Sequence, residues 1–251
     1  RGLRPHAPRR AAGLPVMAAP IIGILGGMGP EATVELMRRV IAATPARDDS
    51  DHVHLVVDQN PKTPSRIEAL IDGTGESPAP TLAAMTRRLI GAGADALAMP
   101  CNTAHGYLDA IRSAAGPVPV LDMVALTVDR IVGLDPAPRR VGLLASTAVV
   151  ILGLYERAFA ARGVEIVHPA NQDAVMAAIR VVKRGDMGEA PRAATRAAAA
   201  ELRLRGADTI VVACTELSAL TEPSLDGART LDAMDALAEA IVAFARSADA
   251  P

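Results

Sequence analysis

The sequence predicts an α/β protein of two related halves, each a small doubly wound parallel sheet. Three observations predict it. Short apolar runs alternate with helix-periodic segments along the chain, the pattern of parallel strands joined by crossover helices. The chain also repeats itself. Gly93-Ala94-Asp95 leads to Cys101 over the same eight residues that carry Gly206-Ala207-Asp208 to Cys214, and Gly23-Ile24-Leu25-Gly26 has a partner in Gly142-Leu143-Leu144-Ala145. Finally, 251 residues, 50% of them hydrophobic, suffice for one large domain or two compact ones.

The elements follow in order. In the first half, apolar runs predict strands at Ile21–Leu25, Val53–Asp58, Ala96–Met99 and Val118–Leu121. Helical periodicity predicts helices over Pro30–Ala43, Thr81–Ala92 and Ala104–Ser113, with Pro30 at a helix start, where its missing N–H costs nothing. In the second half, strands are expected at Val141–Leu144, Val164–Val167, Thr209–Ala213 and Arg229–Leu231. Helices are expected over Met123–Val132, Val150–Ala161, Asp173–Arg184, Gly188–Arg205 and Ala233–Arg246. The expected division gives residues 17–121 plus 226–247 to the first domain and 122–225 to the second. Each half then carries one Cys just past the carboxyl end of a strand, where open α/β sheets bind ligands.

Residues 1–16 hold four Arg, three Pro and no acid, and Met17 stands just before the first strand pattern. The segment reads as a flexible extension, with an Arg-rich targeting segment as the alternative. Composition excludes several classes. A net charge of −2 lacks the basic footprint of a nucleic-acid binder, and 2% aromatic residues leave no base-stacking platform. No apolar stretch approaches the roughly 18 residues of a membrane span. Two cysteines 113 residues apart make neither a disulfide framework nor a four-cysteine zinc site. Unpaired thiols without a secretion signal point to the reducing cytoplasm. His52 and His54, just after Asp48, Asp49 and Asp51, would share a strand face, but an acidic loop entering a strand explains them without a metal. Of 26 basic residues only Lys62 and Lys183 are Lys, which raises the question whether either sits where an ammonium is needed.

Gly26-Gly27-Met28-Gly29-Pro30 follows a strand and opens a helix. Glycine there lets backbone approach a ligand, and a helix N-terminus offers unpaired N–H groups to an anion. The run is neither G-x-G-x-x-G nor a P-loop, so a nucleotide is a poor match. Met99-Pro100-Cys101-Asn102-Thr103-Ala104-His105 puts a thiol between a strand and a helix start, where thiolate is favoured. Asn102 and Thr103 there can cap the helix or bind a carboxylate. Val212-Ala213-Cys214-Thr215-Glu216-Leu217 repeats the arrangement, with Glu216 either supporting the helix dipole or belonging to the site. The proline-stiffened Asn60-Pro61-Lys62-Thr63-Pro64-Ser65-Arg66 can present Arg66 or Lys62, and an Arg can clamp a carboxylate. Taken by spacing alone, Lys183 is an ordinary cation in a last helical turn.

Two thiols on opposite walls of one cleft suit one task well. A thiolate removes a proton from one face of a carbon, and a thiol delivers another to the opposite face. The unperturbed Cys pKa, not far above neutrality, suits this work. Charge gathering on the substrate's carboxylate needs N–H donors and cations, for which the Gly-rich turn, Asn102, Thr103, Arg66 and Lys183 are candidates.

Ile22-Gly23-Ile24-Leu25-Gly26-Gly27-Met28-Gly29-Pro30-Glu31-Ala32-Thr33, Pro100-Cys101-Asn102-Thr103-Ala104-His105 and Cys214-Thr215-Glu216-Leu217 together resemble the aspartate/glutamate racemase superfamily, closest to its aspartate racemase branch. The resemblance runs from about Met17 to about Arg246. It implies two flavodoxin-like parallel-sheet domains related by a pseudo-twofold axis, with the active site in the cleft between them. It further implies a homodimer that racemises a small acidic amino acid without cofactor or metal. By the same resemblance Cys101 and Cys214 match the catalytic thiols. Asn102 and Thr103 match the residues on the α-carboxylate, Arg66 the arginine on the side-chain carboxylate, and Lys183 the lysine of a Lys-x-Gly element. With Met28, Gly29, Thr215 and Glu216 these make the expected substrate-binding set. Lys62 has no counterpart. Departures from the family pattern are Pro64-Ser65-Arg66-Ile67 for Pro-Asp-Arg-Thr, Val149 in place of a hydroxyl, and Asp122 where a His often stands. They touch the substrate's identity rather than the paired thiols. Aspartate racemisation is the leading expectation. Racemisation of glutamate or another amino acid, a maleate isomerase or malonate decarboxylase relative, and a dicarboxylate-binding module are the alternatives.

Overall fold

The computed structural model describes residues 19–220, 225, 227 and 229–247. The expected extension at 1–16 lies outside them. Two four-stranded sheets, all parallel, form the framework. The first contains β1 (Ile21–Gly26), β2 (His54–Gln59), β3 (Ala96–Ala98) and β4 (Val120–Leu121) in the order β2-β1-β3-β4. The second contains β5 (Arg140–Ala145), β6 (Glu165–Val167), β7 (Thr209–Ala213) and β8 (Arg229–Asp232) in the order β6-β5-β7-β8. Shifting every strand number by four converts one order into the other, so the sequence repeat is a repeat of topology.

Helices cover both faces of each sheet, which is why the central strands are apolar without interruption. In the first half, Ile22 and Ile24 of β1 face α1 (Pro30–Ala43) and α10 (Ala233–Ser247). Leu25, with Leu97 and Met99, faces α2 (Ala79–Gly91) and α3 (Leu108–Ala115). In the second, Val141, Leu143 and Val211 face α4 (Met123–Val132) and α6 (Leu154–Ala160). Leu144, Ile210 and Val212 face α7 (Gln172–Lys183) and α8 (Glu189–Leu204). Alternate strand residues thus serve opposite faces, as the two-residue period of a strand requires.

Three expectations need correction. Residues 226–247 are expected whole in the first domain, but Arg229–Asp232 pairs with β7 as the last strand of the second sheet. Only α10 crosses back, because its apolar face, from Met234 to Val242, fits the groove beside α1. The helix expected over Val150–Ala161 is two helices, α5 (Thr147–Leu152) and α6, since Gly153 takes left-handed backbone and ends the first. The helix expected over Ala104–Ser113 starts as a tight turn, Thr103–Tyr107, before α3. A short helix, α9 (Thr215–Ser218), was not anticipated. No described helix is long and apolar enough to cross a membrane. The acids before His52 serve local structure: Asp48 caps the turn Asp49–Asp51, and Asp51 accepts from the N–H of Arg47 and Asp48. Among the described residues no group of three His, Cys, Asp or Glu could hold a metal ion.

Candidate active site

The carboxyl ends of the two sheets line one cavity of about 310 Å³. Backbone chemistry sets the first wall. Gly27 follows β1 with φ at +89°, and a Cβ there would stand 2.4 Å from the Asn60 carbonyl carbon, so only glycine lets the turn and the β2 loop meet. Thr33 on α1 receives the Gly27 N–H at 2.9 Å. Asn60 donates its N–H to the Gly26 carbonyl at 3.3 Å and receives the Lys62 N–H on its side chain at 3.0 Å. This loop carries Arg66 to the cavity, where its guanidinium donates to the carbonyls of Met28 (3.2 Å) and Pro64 (3.3 Å). Among the described residues no carboxylate pairs with Arg66, so its charge faces the cavity uncompensated. Ile67 then crosses to pack against the core of the second half.

Cys101 follows β3 and is buried, 5% exposed. Asn102 accepts the Tyr155 hydroxyl on Oδ1 at 2.6 Å, and its buried Nδ2 has no partner among the described residues. A buried donor left unpaired beside a cavity is a group waiting for an acceptor. Thr103 Oγ1 meets Ser146 Oγ of the other half at 3.2 Å. His105 holds the Cys101 segment from behind. Its Nε2 accepts the Met123 N–H at 3.0 Å, so the proton sits on Nδ1 and is donated to the Cys101 carbonyl at 2.9 Å. Burial holds this imidazole below its ordinary pKa, hence neutral.

Cys214 follows β7 and is as buried, 6% exposed. Its Sγ donates to Glu216 Oε2 at 3.1 Å, while Glu216 Oε1 receives Lys183 Nζ at 3.2 Å. Burial and the Glu216 carboxylate raise the Cys214 thiol well above its usual range, against the pull of Lys183. Burial works against the Lys183 charge, but Glu216 and the thiols outweigh it and hold the amine above its ordinary value. Behind Cys214, Ser218 donates to Asp232 at 2.8 Å, and Arg39 from α1 binds Asp232 at 2.9 Å and the Ser218 carbonyl at 3.0 Å.

All ten expected residues, Met28, Gly29, Arg66, Cys101, Asn102, Thr103, Lys183, Cys214, Thr215 and Glu216, line this one cavity. Lys62 does not; it is exposed. Two departures from the family pattern also fall elsewhere. Val149 is core packing, and Asp122 caps α4 and binds Arg112. Sequence reasoning missed Thr63, Ser146, Ile67 and Ile179 on the wall and Tyr155 behind it. Ser146 was findable, since it occupies the place of Gly27 in the repeat. Nothing in the sequence marked Tyr155.

Two matched parallel sheets, each with a thiol past the end of its third strand on one shared cavity, define a racemase-type α/β protein. The chain belongs to the Asp/Glu/Hydantoin racemase family, whose sequence profile matches residues 25–241. It is 30% identical over 228 residues to the Broad specificity amino-acid racemase RacX of Bacillus subtilis (strain 168), covering 88% of this chain and 96% of that one. The Picrophilus torridus aspartate racemase superposes with a TM-score of 0.79 at 29% identity, over 92% of this chain and 98% of its own. The glutamate racemase of Francisella tularensis subsp. tularensis SCHU S4, in complex with D-glutamate, shares the fold, with a TM-score of 0.61 at 16% identity over 90% and 80% of the two chains.

Proposed function

We propose that the protein interconverts L- and D-aspartate without a cofactor, through Cys101 and Cys214 acting in turn as base and acid. The observation that carries the reading is the pair of thiols, at equivalent points of two repeated sheets, on the wall of one cavity. One thiolate takes the α-proton, and the opposing thiol returns a proton to the other face of the carbon. Atoms balance: one C–H bond breaks, one forms, and the sulfurs exchange protonation states. The free Nδ2 of Asn102 and the Thr103 hydroxyl suit the α-carboxylate, whose charge grows as the α-carbon loses its proton. Arg66, with no carboxylate partner in the described chain, suits the side-chain carboxylate. The homodimer implied by the family resemblance belongs to the same proposal, and analytical ultracentrifugation checks it.

The test is incubation in heavy water. Deuterium is expected at the α-carbon of both enantiomers from either starting enantiomer; a wild-type enzyme that exchanges no α-proton on aspartate overturns the reading. A broader amino-acid range is the second reading. It is favoured by the apolar side chains of Met28, Ile67 and Ile179 on the cavity wall and by the likeness to a broad-specificity racemase. Chiral chromatography over a panel of acidic, amide and apolar amino acids separates the two.

A further inference from the structure

The two thiols occupy equivalent positions but unequal surroundings. Two residues beyond Cys214 stands Glu216, whose carboxylate accepts the thiol's hydrogen bond at 3.1 Å. Two residues beyond Cys101 stands Thr103, which turns its hydroxyl to Ser146 instead. Among the described residues, no carboxylate is hydrogen-bonded to Cys101. The charged and titratable groups around Cys214 are Glu216 on its own helix, Lys183 at the end of α7, and Cys101 and Arg66 on the facing wall.

We infer that Glu216 makes the thiols unequal: it holds the proton of the pair on Cys214, so that Cys101 is the thiolate of the resting enzyme. The inference rests on the two-thiol reading and adds to it a direction. Forming a thiolate at Cys214 would lose the hydrogen bond to Glu216 and set two anions about 3 Å apart in a poorly solvated place. At Cys101 no such anion opposes ionisation. Lys183 binds the far oxygen of Glu216 and does not stand between that carboxylate and the thiol. The enantiomer whose α-hydrogen faces Cys101 then meets an enzyme already in the competent state. After that turnover Cys101 carries the proton and Cys214 is the thiolate. The resting form returns when the proton passes back from Cys101 to Cys214 through solvent. Glu216 is thus a positioning residue for a proton, acting through Cys214.

Alkylation reads the proton's place directly, because the thiolate is the nucleophile. The two cysteines are about equally buried, at 5% and 6% exposed, and both line the same cavity, so a small neutral reagent reaches them from one space. With limiting iodoacetamide near pH 7.5 and peptide-resolved mass spectrometry, Cys101 is expected to react at least about tenfold faster than Cys214 in the wild type, the scale of a hydrogen bond to a charged group. In Glu216→Gln the ratio is expected to fall to within about threefold, since charge is removed while shape and acceptor remain. Equal rates in the wild type, or a ratio unchanged in a folded Glu216→Gln, overturn the inference. Should that variant fail to fold, Lys183→Met gives the complementary arm. Removing the cation that opposes Glu216 should slow Cys214 further, and faster Cys214 labelling contradicts the inference. The experiment stands apart from racemisation. A chain that exchanges no α-proton refutes the racemase reading and leaves the labelling ratio meaningful, whereas a ratio near one with intact racemisation removes this inference alone.

Discussion

The two halves match wherever backbone does the work and differ wherever charge does. Gly93 and Gly206 both end a helix in left-handed backbone, at φ +93° and +90°. Asp95 and Asp208 both turn a carboxylate onto an N–H at the start of the neighbouring first strand. Gly23 and Gly142 both clear room for the alanine of the Gly-Ala-Asp motif. Beyond each cysteine the likeness stops. The Cys101 segment is braced by neutral partners, Tyr155 from the other half and His105 onto the Cys101 carbonyl. The Cys214 segment is braced by ions, with Arg39 reaching in from the first half to Asp232 and Glu216 held by Lys183. A duplicated framework fixes where the thiols stand, and the diverged partners fix how each is charged.

The largest effect should come from the thiols themselves. Cys101→Ala and Cys214→Ala are each expected to lower racemisation of aspartate by about a thousandfold or more, within the range that one acid or base supplies. Polarimetry on both enantiomers checks it. A variant of either thiol that keeps a tenth of the activity would mean one half works alone.

Next in size is Arg66, which pairs with no carboxylate among the described residues. Arg66→Met should raise the KM for aspartate about tenfold to a hundredfold, the loss of a charge-assisted contact, and leave apolar amino acids unaffected. An equal loss for apolar substrates would move Arg66 from recognition to structure.

The pH dependence sharpens the comparison further. Racemisation needs one thiolate and one thiol, so the rate falls at high pH when the thiol that serves as acid is lost. Burial and Glu216 raise that thiol, Cys214, above its ordinary range. Removing the carboxylate charge makes its thiolate easier to form, so the pKa drops and the alkaline limb in Glu216→Gln should move to lower pH by about one unit. A limb that stays or moves upward would show that Cys214 does not set it.

How much of this could be read from the sequence follows the same division. All eight strands and the equivalence of Cys101 with Cys214 were legible, because apolar runs and the Gly-Ala-Asp motif are local signals repeated at fixed spacing. The break at Gly153 was not, since one glycine inside an apolar helical pattern looks like a tolerated interruption. Nor was the return of β8 to the second sheet. Strand pairing is decided by which edge is open, and Arg229–Asp232 found the edge of β7. In the site, the residues one and two beyond each Cys could be named, but the pairing of Glu216 with Lys183 and the reach of Tyr155 depend on side chains far apart in sequence.

Two stability predictions probe the shared framework. Gly23→Ala would set a methyl 2.9 Å from Ala94 Cβ and from Leu97, and Gly142→Ala one 3.0 Å from Leu202 and 3.1 Å from Ala207. Each is expected to destabilise by about 1–3 kcal/mol through overpacking, Gly23→Ala the more, read as a lower urea midpoint.

The smallest effect belongs to the aspartates, and it makes the strictest test of equivalence. Asp95 accepts one N–H, from Ile21 at 2.8 Å, while Asp208 accepts two, from Arg139 at 2.9 Å and Arg140 at 3.3 Å. Both side chains are solvent-accessible, so water can replace them in part, and each loss should stay near the lower end of the roughly 0.5–1.5 kcal/mol of an ordinary hydrogen bond. Asp208→Ala should nonetheless exceed Asp95→Ala, because two donors at the start of β5 lose their partner instead of one. Urea titration of the two variants side by side decides it. If Asp95→Ala proves the costlier, the motif anchors the first strand of the two sheets by different means, and its repetition in sequence would no longer imply a repeated role.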